Sequence, residues 1–284
     1  MNYRHIYHAG NFADVLKHAI VAAIITYLQK KDGAFRVIDT HAGLGVYDLG
    51  SDEAQKTGEW QTGIGRIAEA DLSDDLKAFL APWLAAVAEV NGGSLVPLKR
   101  YPGSPLLVRT LFRKQDRLSA IELHPQDAAK LARLFDGDHQ VRVTELDGWL
   151  SLGAHLPPKE KRGLVLVDPP FEKEGEFDRL VDGLDRATKR FAGGTYGLWY
   201  PLKSDADTPG FHANLKALGR PRTLVAELWV RDLKTEKGLN GSGMIVVNPP
   251  FTLADELANV LPELTKLLAQ DKGAGFRVET LVGE

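Results

Sequence analysis

Gly163-Leu164-Val165-Leu166-Val167-Asp168-Pro169-Pro170-Phe171 is the stretch on which the reading of this sequence turns. Its four consecutive apolar residues, two of them β-branched, predict a strand buried on both faces, as in a parallel sheet. The run then meets an acid and two prolines. Proline has no N–H to give to a central ladder, so the strand stops at Asp168. A carboxylate, a rigid turn and an aromatic ring are thereby set at the carboxyl end of a strand, where open α/β sheets hold ligands.

Outward from this stretch the chain alternates between two periods. Strands are expected at 35–39, 117–122, 140–144, 163–167, 195–200, 223–230 and 243–247, and helical spacing recurs at 13–29, 105–113, 124–135, 176–191, 205–218 and 253–269. Strands alternating with helices indicate an α/β chain with a doubly wound, seven-stranded, mostly parallel sheet, its last two strands forming an antiparallel hairpin end. The segment 47–99 carries a helical pattern of its own (Leu72, Leu76, Phe79, Leu80, Trp83, Leu84, Val87, Val90) and ends at Asn91-Gly92-Gly93. It is expected as an inserted helical subdomain, with 1–46 and 100–284 forming the main domain.

The 284 residues are 44% hydrophobic and 26% charged, ordinary proportions for a soluble globular protein. The absence of cysteine excludes disulfides, thiolate chemistry and cysteine-ligated zinc. The N-terminus lacks the basic-then-apolar layout of a secretory signal, and no run of apolar residues is long enough to span a bilayer, so a cytoplasmic location is expected. A net charge of −3 does not announce a nucleic-acid partner, and such contacts would have to come from local basic groups. These gather at 159–162, at Arg109, Arg113, Lys114 and Arg117, and around Arg220, Arg222, Arg231, Lys234 and Lys237. Most such residues are solvated surface; the 231–240 loop is a credible phosphate contact. His5 and His8 have a ligand-like spacing, but no carboxylate–histidine set stands out and no metal is expected.

The chemistry that suits Asp168-Pro169-Pro170-Phe171 is activation of an exocyclic amine, whose lone pair is delocalised into its ring. The Asp168 carboxylate and a carbonyl of the rigid turn would accept its hydrogens, and Phe171 would stack on an extruded base. The tetrapeptide resembles motif IV of S-adenosylmethionine-dependent amino-methyltransferases, although an ordinary strand end with a proline turn has the same letters. Asp39, followed by Thr40-His41-Ala42-Gly43-Leu44-Gly45, resembles motif I of the same fold, which accommodates the amino-acid end of the cofactor. Glu122, ending the second strand, is the candidate for the ribose hydroxyls. Asp147, past the third, is a candidate for the adenine amine or simply a turn acid. Ser104 reads as an N-cap with Pro105 at the first helical position, though a hydroxyl at a helix N-terminus also suits a carboxylate. Lys17 by itself reads as a solvated residue of its helix. A second copy, Asn248-Pro249-Pro250-Phe251, follows the seventh strand; because the motif belongs on the fourth, this copy is read as structural.

Tyr3-Arg4-His5, His8-Ala9-Gly10-Asn11, Ala13-Asp14-Val15-Leu16-Lys17-His18, Tyr101-Pro102-Gly103-Ser104-Pro105, Glu122-Leu123-His124-Pro125 and Leu198-Trp199-Tyr200-Pro201 together resemble the RlmJ family, bacterial 23S ribosomal RNA (adenine(2030)-N6)-methyltransferases, from end to end. The resemblance implies a Rossmann-like class I methyltransferase fold with a helical subdomain, S-adenosyl-L-methionine as cofactor and 23S ribosomal RNA as partner; a monomer is expected. By position it implies His18, His41, Ser104, Glu122, Asp147, Gly148 and Asp168 around the cofactor. Asp168 becomes the catalytic acceptor, and Tyr3, His5, Lys17 and Phe171 border the substrate. Phe171 stands where many amino-methyltransferases carry tyrosine; stacking survives that exchange and a phenolic hydrogen bond does not. Methylation of DNA adenine or of a protein glutamine, and a non-catalytic RNA-binding module with this fold, are the alternatives.

Overall fold

In the computed structural model, which describes residues 4–206, 208–234 and 238–284, the buried run lies at the centre of the main sheet. In chain order the elements are α1 (Phe12–Leu28), β1 (Arg36–Asp39), β2 (Val46–Asp48), α2 (Asp52–Thr57), α3 (Arg66–Glu69), α4 (Asp74–Val90), β3 (Arg100–Pro102), α5 (Ser104–Leu111), β4 (Arg117–Glu122), α6 (Pro125–Leu134) and β5 (Val141–Glu145). There follow α7 (Gly148–Ala154), β6 (Gly163–Val167), α8 (Glu176–Arg190), β7 (Thr195–Leu202), α9 (Pro209–Leu218), β8 (Thr223–Trp229), β9 (Gly241–Val247), α10 (Leu253–Leu268) and β10 (Gly275–Val282).

The strands order as β10-β8-β9-β7-β6-β1-β4-β5. The five from β7 to β5 run parallel, whereas β9 is antiparallel to both β7 and β8. The expected class holds, with eight strands in this sheet among the described residues rather than seven. The additional strand is β10, antiparallel to β8 at the edge. It escapes the pattern because its residues are half-exposed on both faces, so neither a continuous apolar run nor clean alternation marks it. β2 and β3 form a separate antiparallel pair that closes the base of the insertion.

Side chains of β6 alternate between two cores, as burial on both faces requires. Leu164 and Leu166 join α1, α4, α5 and α10 on one side, and Val165 and Val167 join α7, α8 and α9 on the other. Apolar residues of the insertion (Ile64, Ile67, Leu76, Leu80, Trp83, Val87) share the first core with α1.

The chain runs from β1 to β4 and β5 on one side, then returns to β6 and β7 on the other. The order therefore reverses between β1 and β6 and opens a crevice at their carboxyl ends. Register lines these ends up: Asp39 pairs with Ala120 and Leu166, Glu122 with Glu145, and Val167 with Leu198. Asp39, Glu122, Asp168 and Trp199 are thus brought to one rim.

Two of the basic groups serve the opposite rim instead. Arg113 donates to the carbonyls of Gln29, Lys31 and Gly33 and to Asp116, Arg162 donates to those of Leu28 and Gly33, and Arg36 pairs with Glu160. Lys237 lies outside the described residues.

Candidate active site

Helix α1 begins where Asn11 caps it, its side-chain oxygen accepting from the N–H groups of Ala13 and Asp14. One turn on, Lys17 reaches over the end of β6. Its ammonium lies 2.8 Å from Asp14 Oδ1 and donates to Asp168 Oδ2 at 2.6 Å. Lys17 is only 4% exposed, which corrects the reading of it as a solvated residue. Burial opposes its charge, but the carboxylates of Asp14 and Asp168 more than offset this and hold its pKa above the ordinary lysine value. Asp14 is buried too. Its Oδ2 accepts from His5 Nε2 at 2.9 Å and from the N–H of Gly10 at 2.8 Å. Against the cost of burial, His5 and Lys17 hold its carboxyl well below the usual range.

The Lys17–Asp168 pair stands at the waist of a two-lobed cavity. The larger lobe, about 610 Å³, is bordered by His18, His41, Ser104, Glu122, Asp147 and Gly148. The smaller, about 190 Å³, is bordered by Phe171, Trp199, Pro201, Lys203, His8 and Leu239. His5, Lys17, Asp168 and Pro170 border both.

Around the larger lobe, the carboxylates double as struts for the loops. Glu122 accepts from the N–H groups of Gly43 at 2.8 Å and His124 at 2.7 Å, and burial raises its pKa despite them. Gly43 has φ +63°, and a Cβ there would meet the Tyr47 hydroxyl at 2.3 Å, so the turn that offers its N–H to Glu122 needs glycine. Asp147 caps α7 by accepting from the N–H of Trp149 at 2.9 Å. At Gly148 a Cβ would strike the Thr40 carbonyl oxygen at 2.2 Å and the His41 ring at 2.8 Å, so this glycine is demanded by packing before any ligand is considered.

His41 is neutral, burial lowering its pKa to about 4. The Thr40 hydroxyl donates to the Leu166 carbonyl and therefore accepts from His41 Nδ1 at 2.7 Å, which leaves His41 Nε2 unprotonated. His18, lowered to about 3 by burial, is also neutral and shares a 2.7 Å hydrogen bond with the Tyr101 hydroxyl. Ser104 is the first helical residue of α5, and Gly103 rather than Ser104 occupies the cap position. Near Ser104 lies Asp39, whose fully buried carboxyl is raised by burial to about 7.

At the smaller lobe, Phe171 takes a left-handed backbone (φ +50°). Such a conformation costs a bulky residue about 1–3 kcal/mol. Its ring is packed edge-on to Phe177 and Trp199, at centroid distances of 5.0 and 5.8 Å. Trp199 is fixed in turn by a hydrogen bond from its Nε1 to Ser242, and the Lys17 ammonium lies 5.9 Å from its ring centre.

The structure thus gathers every described residue of the expected site around one cavity; Tyr3 lies outside the described residues. Sequence reasoning missed Asp14 and Trp199 as site residues. Trp199 was signalled by standing one residue past the strand position paired with Val167, whereas the contacts of Asp14 with His5 and Gly10 have no signal in the spacing of the chain. The second proline pair sits at the other rim. Asn248 donates to the carbonyls of Ala192 and Gly194, Arg222 donates to that of Pro249, and Phe251 is exposed.

Residues 32–282 match the family model described as "Ribosomal RNA large subunit methyltransferase D, RlmJ". The chain is 41% identical to the ribosomal RNA large subunit methyltransferase J of Haemophilus influenzae over the full length of both, and 43% identical to that of Escherichia coli over 96% of each. A crystal structure of a Legionella pneumophila protein, 32% identical, superposes with a TM-score of 0.86 over 96% of this chain and 98% of the other.

Proposed function

Because this chain belongs to the RlmJ family of ribosomal RNA large subunit methyltransferases, we propose that it methylates the exocyclic N6 of a single adenine in 23S ribosomal RNA, with S-adenosylmethionine as methyl donor and the base extruded from its helix. The observation that carries this reading is the Asp168–Lys17 pair at the waist between a cofactor-sized lobe and a base-sized one.

The larger lobe fits the donor. Its volume falls within the roughly 300–1,000 Å³ usual for small-molecule sites, and carboxylates end two neighbouring strands beside a glycine turn. Glu122 would hold the ribose, Asp147 and Gly148 the adenine, and His18, His41 and Ser104 the rest of the molecule. When bound, S-adenosylmethionine supplies an electrophilic methyl group and a good leaving group.

The chain's own residues have two tasks, to position the amine and to accept its hydrogens. Among the described residues, Asp168 Oδ1 accepts no hydrogen bond, whereas Oδ2 is taken by Lys17. Oδ1 and the Pro169 carbonyl would accept from N6 and draw its lone pair out of conjugation. With Oδ2 held by the ammonium, Asp168 acts first as an acceptor through Oδ1. Once N6 carries the methyl, its surplus proton is acidic and leaves by way of Asp168 Oδ1. Phe171 and Trp199 supply aromatic surface for the base, and stacking of this kind is worth about 1–3 kcal/mol per base. Catalysis is then positioning and preorganised charge.

The test is to offer protein-free 23S rRNA and a DNA copy of the same sequence in parallel with labelled donor. Label is expected in RNA alone. Equal labelling of DNA, or label in neither, would overturn the choice of substrate.

A further inference from the structure

Lys17 faces two carboxylates, and the function proposed above uses only one of them. Asp14 is the other, a buried charge at the edge of the smaller lobe that contacts Lys17 on its own helix and two groups from the chain before it. Its Oδ1 lies 2.8 Å from the Lys17 ammonium, while its Oδ2 takes His5 Nε2 at 2.9 Å and the Gly10 N–H at 2.8 Å. A carboxylate buried to this degree is costly unless fully paired. A single ion pair between Lys17 and Asp168 would already have balanced the lysine, so the second acid is not needed for charge neutrality.

We propose that Asp14 is a positioning residue for methyl transfer. It shares the Lys17 ammonium with Asp168, and through its other oxygen it holds His5 at the junction of the two lobes. The inference rests on the reading of Asp168 as the acceptor for the target amine.

Two consequences of this sharing concern the reaction. First, a lysine held from two sides has its ammonium fixed, and with it Asp168 Oδ2, so that Oδ1 keeps a single direction. Second, the side chains of Asp14, Lys17 and Asp168 set two carboxylates against one ammonium. Methyl transfer to N6 brings positive charge onto the amine, and a site with a negative surplus stabilises that change. Without Asp14, Lys17 and Asp168 close into a neutral pair, and the lysine draws its partner's charge away from the amine.

The experiment compares Asp14→Asn, Lys17→Met and the double variant with the wild type. It reads kcat and KM for protein-free 23S rRNA, with active sites counted by calorimetric titration of the methyl donor and folding checked by melting temperature. The Asp14→Asn change is expected to lower kcat per titrated site on the order of 10- to 100-fold, as misplacement of reacting groups does. The Kd for the donor should stay within about threefold, and in the Lys17→Met background the same change should cost less than about threefold. Losses that multiply in the double variant, or an unchanged kcat per site in Asp14→Asn, would overturn the proposal. Should Asp14→Asn not fold, Asp14→Glu, which keeps the charge and moves it by one methylene, carries the same comparison. No product from the wild type would instead overturn the proposed function, and the positioning role with it.

Discussion

Asp39 shows how one side chain couples the fold to pH. Burial raises its carboxyl to about 7, against the opposing influence of the nearby Ser104 hydroxyl. The folded value therefore lies above the unfolded one. Stability linked to this proton is fully present below the ordinary carboxylate range and is lost as pH rises through about 7. Asp39→Asn removes the dependence. Urea unfolding of the ligand-free protein should show the variant gaining on the wild type by about 1 kcal/mol per pH unit between roughly pH 5 and 7. A difference that does not change with pH would refute the assignment. Asp39, Glu122 and Asp168 were legible in the sequence because an apolar run fixes where a strand ends, and an acid at that end is visible in one dimension. Asp14 was not. Its importance comes from His5 and Gly10 folding back onto the first turn of α1, and nothing in the spacing of the chain states that they do.

The first turn of α1 is an element on which several site residues depend at once. Asn11 caps it, Asp14 and Lys17 project from it, and Asn11 Nδ2 also donates to Glu59 of the insertion. Loss of a cap of this type costs about 0.5–2 kcal/mol. Asn11→Ala should lower the melting temperature by a few degrees, on the order expected for a chain of this size, and reduce methyl transfer more than donor binding, since Lys17 depends on this turn. Equal loss in both would mean that the turn serves the fold alone. Regular helices and central strands were readable here because period and burial agree, as in β6. β2 and β3 were not, at three residues each and paired across more than fifty residues of intervening chain. β10 was hidden for a related reason: its partner β8 lies far back in the chain, and an edge strand needs no apolar face.

At the scale of the whole molecule, the two proline pairs show how topology assigns roles to equal letters. Asp168-Pro169-Pro170 ends a strand at the switch point, and Asn248-Pro249-Pro250 ends a strand that runs the other way, so one faces the cavity and the other the far rim. The insertion joins the same core as α1 through Ile64, Leu80 and Trp83. Excising residues 51–97 should therefore abolish cooperative unfolding; a deletion variant that still melts cooperatively would show the insertion to be separable. The central claim is that Asp168 presents an adenine N6 to the methyl donor. The direct measurement is mass spectrometry of nucleosides from 23S rRNA lacking the modification, after incubation with the donor and either wild type or Asp168→Ala. One N6-methyladenosine per rRNA is expected with the wild type. With Asp168→Ala a loss of at least about 100-fold is expected, as for removal of a preorganised acceptor, while calorimetry shows the donor still bound. A methyl group on another atom, or an undiminished product from Asp168→Ala, would contradict it.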